Sequence, residues 1–429
     1  MQTLSLITQW IADNLFSQPA FLIGLIALIG LIAQRAKFSK VILGTMKTSV
    51  GFLILTKGSD IIVGALLGLV PILEGAFGFE AAGLGGARLD EFIAAYGGYA
   101  SLIMTFGFLI NVLIARFTKL KYIYLTGHLM WWMSLVILAT MAEINPNAGG
   151  LGYVLIGSIV LGVYWTIQPA YMQPLMRKLT GQDGIAYGHT SSSNAWLAGK
   201  LGGLVGRPEN STEELELPDW LTFFRDITAG TAIVIGVMLV ITTLIAGAQG
   251  VEGQGLNGVI PAIMLGLEFS VGITVLLFGV RMLIAEIVPA FRGIAMKIVP
   301  DAKPALDCPI VFEYAPTAVI VGFLSATVTF FILMIIFGVT GLAVIVPPFL
   351  MLFFPGGAGG VFGNNAGGIR GAILGGAILG LLLAVGQAVV QPMLSTTAPE
   401  LAQLADPDWY IVFLIFRGVL APIMPLFGG

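Results

Sequence analysis

Charge is scarce in this chain. Only 10% of its 429 residues are Asp, Glu, Lys or Arg, far below the roughly 25% of an ordinary soluble domain. Histidine occurs twice, at His128 and His189, and cysteine once, at Cys308. A single cysteine excludes an internal disulfide framework and a thiolate metal cluster. The net charge of −3 offers no basic surface to a nucleic acid. No Walker A sequence is present, which argues against ATP hydrolysis within the chain. The first seventeen residues are amphipathic rather than basic then apolar, and no small-residue cleavage site follows them, so no cleavable signal peptide is expected. Nothing in the composition calls for a cofactor or a metal.

What is present is apolar. Hydrophobic residues make up 57% of the chain and the mean hydropathy is +0.96. Runs long enough to span about 30 Å of hydrocarbon recur at roughly 20–34, 41–57, 61–79, 97–115, 122–142, 150–173, 227–248, 259–283, 308–338, 371–394 and 409–425. The expected fold is therefore an all-α polytopic membrane protein with about eleven transmembrane segments. Two glycine-rich polar stretches interrupt the spans, at 184–206 and 355–370. Irregular backbone is tolerated at membrane depth only where it lines protein or a cavity, so both read as re-entrant hairpins, with ordinary surface loops as the alternative.

Lys and Arg cluster at Arg35–Lys40, Arg116–Lys121 and Arg177–Lys178, and are absent from 142–150, 248–258 and 395–408. The positive-inside tendency places the first set in the cytoplasm, with the N-terminus outside and the C-terminus inside. The soluble-looking segment 207–226 would be a cytoplasmic linker between two structural repeats, 1–206 and 227–429. Each half carries a basic-glycine step, Lys57-Gly58 or Arg292-Gly293, followed by a glycine-rich hairpin. Repeats with a binding site near the midplane are common in transporters.

Ionisable groups at membrane depth mark where something is bound or moved. Thr126-Gly127-His128 begins one span. Gly188-His189-Thr190 opens a run of serines and Asn194. Asp307-Cys308-Pro309 lies at a helix break, since Pro309 has no N–H to donate. Asp307 there can accept from substrate hydroxyls, bind a cation, or simply cap a helix. Glu313 is the second acid in that region, and Glu286 reads as an ion-paired structural group. Two functions from the transport class remain open at this point, a sugar permease and an ion-coupled carrier using Asp307 or Glu313. A membrane receptor that only senses its ligand is a third.

At these residues the chain resembles the membrane component (IIC) of ascorbate-type phosphoenolpyruvate-dependent phosphotransferase systems. The matching stretches are GTMKTSVGFLILTKGSDII (44–62), KYIYLTGH (121–128), the Gly188-His189 pair, VRMLIAEIVPAFRGIAMKIVP (280–300), LDCPIVFEYAPTAVIVGF (306–323) and GGVFGN (359–364). The resemblance implies uptake of L-ascorbate or a related sugar acid or polyol. Phosphorylation would come from a separate IIB subunit charged by an upstream IIA, with no phosphoryl-transfer residue in this chain. It also implies a homodimer in the bacterial plasma membrane, with a dimerising scaffold and a core moving in an elevator-like way. His128, His189 and Asp307 match polar residues of the family's substrate site, and Thr126 and Glu313 stand beside them. Where ascorbate carriers have glutamines after the two histidines, this chain has Trp132 and Thr190, and 80–89 lacks their tyrosine-containing stretch.

Overall fold

The computed structural model describes residues 19–77, 87–145, 150–215, 226–297 and 299–420. The amphipathic start of the chain, most of 80–89, the linker beyond 215 and the end of the expected last span lie outside the described residues. Helix α1 (Pro19–Ala33) ends before Arg35 turns left-handed at φ 56°. The chain continues through α2 (Phe38–Phe77), α3 (Ala87–Phe117), β1 (Tyr122–Tyr124), α4 (Gly127–Ile144), α5 (Gly150–Thr180) and β2 (Ala186–Tyr187). Then follow α6 (Ser192–Val205), α7 (Ile227–Ala248), α8 (Val259–Lys297), β3 (Lys303–Leu306), α9 (Pro316–Thr340), α10 (Phe349–Val390), α11 (Glu400–Gln403) and α12 (Pro407–Leu420). Among the described residues eight helices are long and apolar enough to cross a membrane. The two expected spans 41–57 and 61–79 are one helix, and the described parts of α1 and α12 are shorter than a full crossing.

Glycine accounts for much of the difference. Lys57-Gly58 reads as a break in sequence, yet α2 runs straight through it. A Cβ on Gly58 would lie 2.3 Å from the Leu276 backbone nitrogen, and one on Gly279 would lie 2.2 Å from that of Leu55. The glycines at 51 and 58 of α2 and at 272 and 279 of α8 thus let two long helices touch backbone to backbone. In lipid, where burying apolar surface gives little net drive, such close packing is what holds helices together.

The stretch 355–370 follows the same logic. It is helical rather than irregular, except at Gly367 and Gly368, the latter with φ 62°. There α10 doubles back on itself. A Cβ on Gly363 would lie 2.1 Å from the Gly371 carbonyl oxygen, and one on Gly375 2.2 Å from that of Gly359. Pairs that step outward symmetrically from the turn define an antiparallel helical hairpin. Gly322 of α9 meets one arm through Gly356 and Gly360, and Gly202 of α6 meets it through Gly363.

The fold is overwhelmingly helical, as expected, with one small addition. Three short strands form a parallel sheet in the order β1-β3-β2. In register, Tyr122 faces Lys303, Tyr124 faces Ala305, and Tyr187 faces Leu306. A sheet among apolar helices cannot leave its edges unpaired. Asn111 of α3 completes β1, accepting from Tyr124 N–H and donating to the Tyr122 carbonyl, both at 3.0 Å. On the other edge Gln168 of α5 donates to the Tyr187 carbonyl at 3.1 Å, and Gln173 to that of Ile185 at 3.1 Å.

Two glutamates tie distant segments to helix ends and turns. Glu213 accepts from the N–H groups of Thr317 and Ala318 at the start of α9, where the helix leaves donors unsatisfied. Glu143, at the end of α4, accepts from those of Thr396 and Thr397. The stretches around 143 and 395 therefore meet.

Candidate functional site

Because the strands are parallel, their C-terminal ends point the same way. Each end delivers one polar side chain: His128 begins α4 four residues after β1, His189 follows β2 by two, and Asp307 follows β3 directly. His128 Nε2 lies 3.6 Å from Asp307 Oδ2, and His189 Nε2 lies 3.5 Å from Asp307 Oδ1. His189 is buried, whereas half of the His128 side chain is open. Asp307 also accepts from Cys308 N–H at 2.6 Å, capping the 3-10 helix Cys308–Tyr314. It is thus a helix cap and a cavity-facing acceptor at once.

These groups border a cavity of about 430 Å³. One wall is apolar apart from Thr56 and comes from α1 and α2 through Ala20, Phe52, Leu53 and Leu55. The rest of the lining carries His128, His189, Asp307, Trp132, Asp406 and Trp409, together with apolar residues such as Leu350, Met351 and Phe354. Trp132 and Trp409 stack with centroids 6.3 Å apart and planes 29° from parallel. No Lys or Arg lines the cavity among the described residues.

His189, Asp307 and Cys308 hold donor atoms within 4.8 Å of one another, the residue types of a divalent-metal site. The protonation pattern works against one. His189 Nδ1 accepts the Ser191 N–H at 3.0 Å, so the neutral ring carries its proton on Nε2, the nitrogen that faces Asp307. That arrangement suits donation to an acceptor rather than metal ligation.

Not every residue singled out in the sequence reaches the cavity. Thr190 is fully buried and its hydroxyl donates to Asp406. Thr126 donates to the Gly188 carbonyl and borders only a void of about 20 Å³ beside His128 and Asp307. Glu313 lies 3.4 Å from Arg281 Nε in an ion pair, and Glu286 pairs with Lys47 at 3.5 Å. Conversely, Asp406 and Trp409 were not singled out in the sequence. The signal is ADPDW at 405–409, two acids around a proline before an apolar run. It reads as an ordinary extramembrane turn until the fold carries it to the site.

A family model described as PTS system sugar-specific permease component matches residues 14–408. A similar curated protein is the Ascorbate-specific PTS system EIIC component of Mycoplasma pneumoniae (strain ATCC 29342 / M129 / Subtype 1), with 29% identity over 88% of this chain. The chain spans about two thirds of that relative's length, 65%. The family match extends over nearly the whole chain, including all three strand-end residues, and the helices and cavity are those of a multi-pass membrane protein. The chain belongs to the PTS sugar-specific permease component family.

Proposed function

We propose that this chain takes up L-ascorbate, or a related sugar acid or polyol, across the bacterial plasma membrane, and that a separate phosphorylated IIB subunit modifies the sugar on the cytoplasmic side. The observation that carries the reading is the convergence of His128, His189 and Asp307 on one polar wall facing an apolar one. Donors and acceptors spaced around an aromatic pair suit a hydroxyl-rich ring, and a cavity of about 430 Å³ falls within the usual range for small ligands. All the recognising groups lie on one wall. That asymmetry supports an elevator mechanism, in which the polar wall carries the substrate past a smooth α1–α2 surface. In this reading α1, α2, α7 and α8 form a scaffold through which two copies dimerise, and the two halves of the chain are structural repeats. The expected hairpins at 184–206 and 355–370 then belong to the moving core.

The ion-coupled alternative loses part of its basis, because Glu313 is held by Arg281. Uptake into membrane vesicles separates the two. With phosphorylated IIB inside, labelled L-ascorbate or a labelled polyol should accumulate as its phosphate, independently of ion gradients. Accumulation of unmodified sugar that collapses with the proton or sodium gradient would overturn the proposal.

A further inference from the structure

Asp406 is an acid that neither the strand ends nor the sequence motifs account for. Its side chain is 5% exposed and it borders the cavity. One oxygen, Oδ2, accepts the Thr190 hydroxyl and lies 3.7 Å from His189 Nδ1. That nitrogen is itself an acceptor from Ser191 N–H, so it has no proton to give. Among the described residues no hydrogen-bond donor reaches the other oxygen, Oδ1. Oδ1 is not enclosed by protein but opens on the cavity, where it is free to accept from a ligand hydroxyl.

The loop that presents Asp406 is built to hold it still. Asp408 N–H donates to the Thr190 carbonyl at 2.9 Å, and Trp409 N–H to the Asp406 carbonyl at 3.0 Å. The Asp408 carboxylate accepts from the Ser192 hydroxyl, from Ser193 N–H at 2.8 Å and from the Tyr164 hydroxyl at 2.7 Å. Two neighbouring acids divide the work: Asp408, in the first turn of α12, anchors the segment, and Asp406, just before the helix, faces the cavity beside Trp409.

We infer that Asp406 is a substrate-contacting, specificity-determining residue, whose Oδ1 accepts a hydroxyl hydrogen from the ligand. Thr190 is its positioning residue. His189 then stands between two carboxylates, Asp307 at 3.5 Å and Asp406 at 3.7 Å, so the wall reads two hydroxyls of one substrate on either side of the imidazole. This inference rests on the proposed reading of the cavity as a sugar site. A site with a committed acceptor rejects an analogue lacking the matching hydroxyl far more strongly than an apolar pocket rejects a missing methylene.

The test is equilibrium binding to the purified full chain, using L-ascorbate, sorbitol and the monodeoxy analogues of sorbitol as probes. Asp406→Asn should weaken the probe that binds the wild type by at least about tenfold, as for loss of one well-formed hydrogen bond. One monodeoxy analogue should bind wild type and variant equally weakly, because it lacks the hydroxyl that Asp406 reads. Thr190→Val should weaken the same probes, and Thr190→Ser should restore them. Thermal unfolding of each variant, with Asp406→Glu as a charge-conserving control, separates lost contact from lost fold. Binding by Asp406→Asn within twofold of wild type, or an equal loss for every analogue, overturns the inference while leaving the sugar-permease reading intact. Failure of the wild type to bind any probe overturns that reading, and the inference with it.

Discussion

Asp183 illustrates how single residues set the strand ends in place. It accepts from Lys303 Nζ at 2.7 Å, from Gln173 at 3.0 Å and from Arg177 at 3.0 and 3.1 Å, fastening the loop before β2 to the first residue of β3. Partial burial works to raise its carboxyl pKa, but these hydrogen bonds outweigh it and hold the pKa at about 2. An unfolded aspartate titrates at about 3.9, so the contribution is present above that value and is lost as pH falls towards 2. Half of the side chain is exposed, and screening keeps the effect below about 1 kcal/mol. Asp183→Asn should therefore lower the melting temperature slightly at pH 7, and the difference should vanish by about pH 2, as followed by thermal unfolding across that range. At this scale the sequence was legible where polarity was rare: His128, His189 and Asp307 stand out because their neighbours are apolar. Asp406 did not stand out, because an acid in a turn is unremarkable until the turn is folded inward. Thr190 and Glu313 looked available because the sequence does not reveal their partners, Asp406 and Arg281.

Elements were legible by hydropathy and misread by glycine. A glycine in an apolar run signals either a break or a close approach, and only the partner helix decides between them. Gly58 and Gly279 belong to the second kind. Gly279→Val should place a side chain against the Leu55 backbone and destabilise the α2–α8 pair by about 1–3 kcal/mol or more. Gly64→Ala, in the partner helix α2 with nothing within 4 Å of the added Cβ, should be neutral or slightly stabilising. Thermal unfolding in detergent compares the two. The strands escaped the sequence for a different reason: two to four residues are too few for alternation to emerge. Their dependence on side chains from α3 and α5 is testable. Asn111→Leu removes both partners of β1 and its bond to Thr166 at 2.8 Å. It should cost about 2 kcal/mol or more and weaken ligand binding as His128 loses its footing. Binding and unfolding measured on the same preparation check both effects.

For the whole molecule, the arrangement that matters is a cavity between two unlike walls. If the polar wall travels, a covalent bridge across the cavity must stop transport without emptying the site. Phe52 lies on the α2 wall and Met351 on the α10 wall. In a Cys308→Ala background, Phe52→Cys with Met351→Cys joined by a flexible bis-maleimide should abolish vesicle uptake and leave ligand binding measurable, with activity regained when each cysteine is present singly. Undiminished uptake by the bridged protein would contradict a moving wall. The central claim, however, is that the three strand ends form the sugar site, and direct binding of L-ascorbate and a neutral polyol to the purified chain tests it with Asp307→Asn alongside. The account predicts saturable binding of one of them by the wild type and a loss of at least about tenfold in the variant; undiminished binding by Asp307→Asn would contradict it.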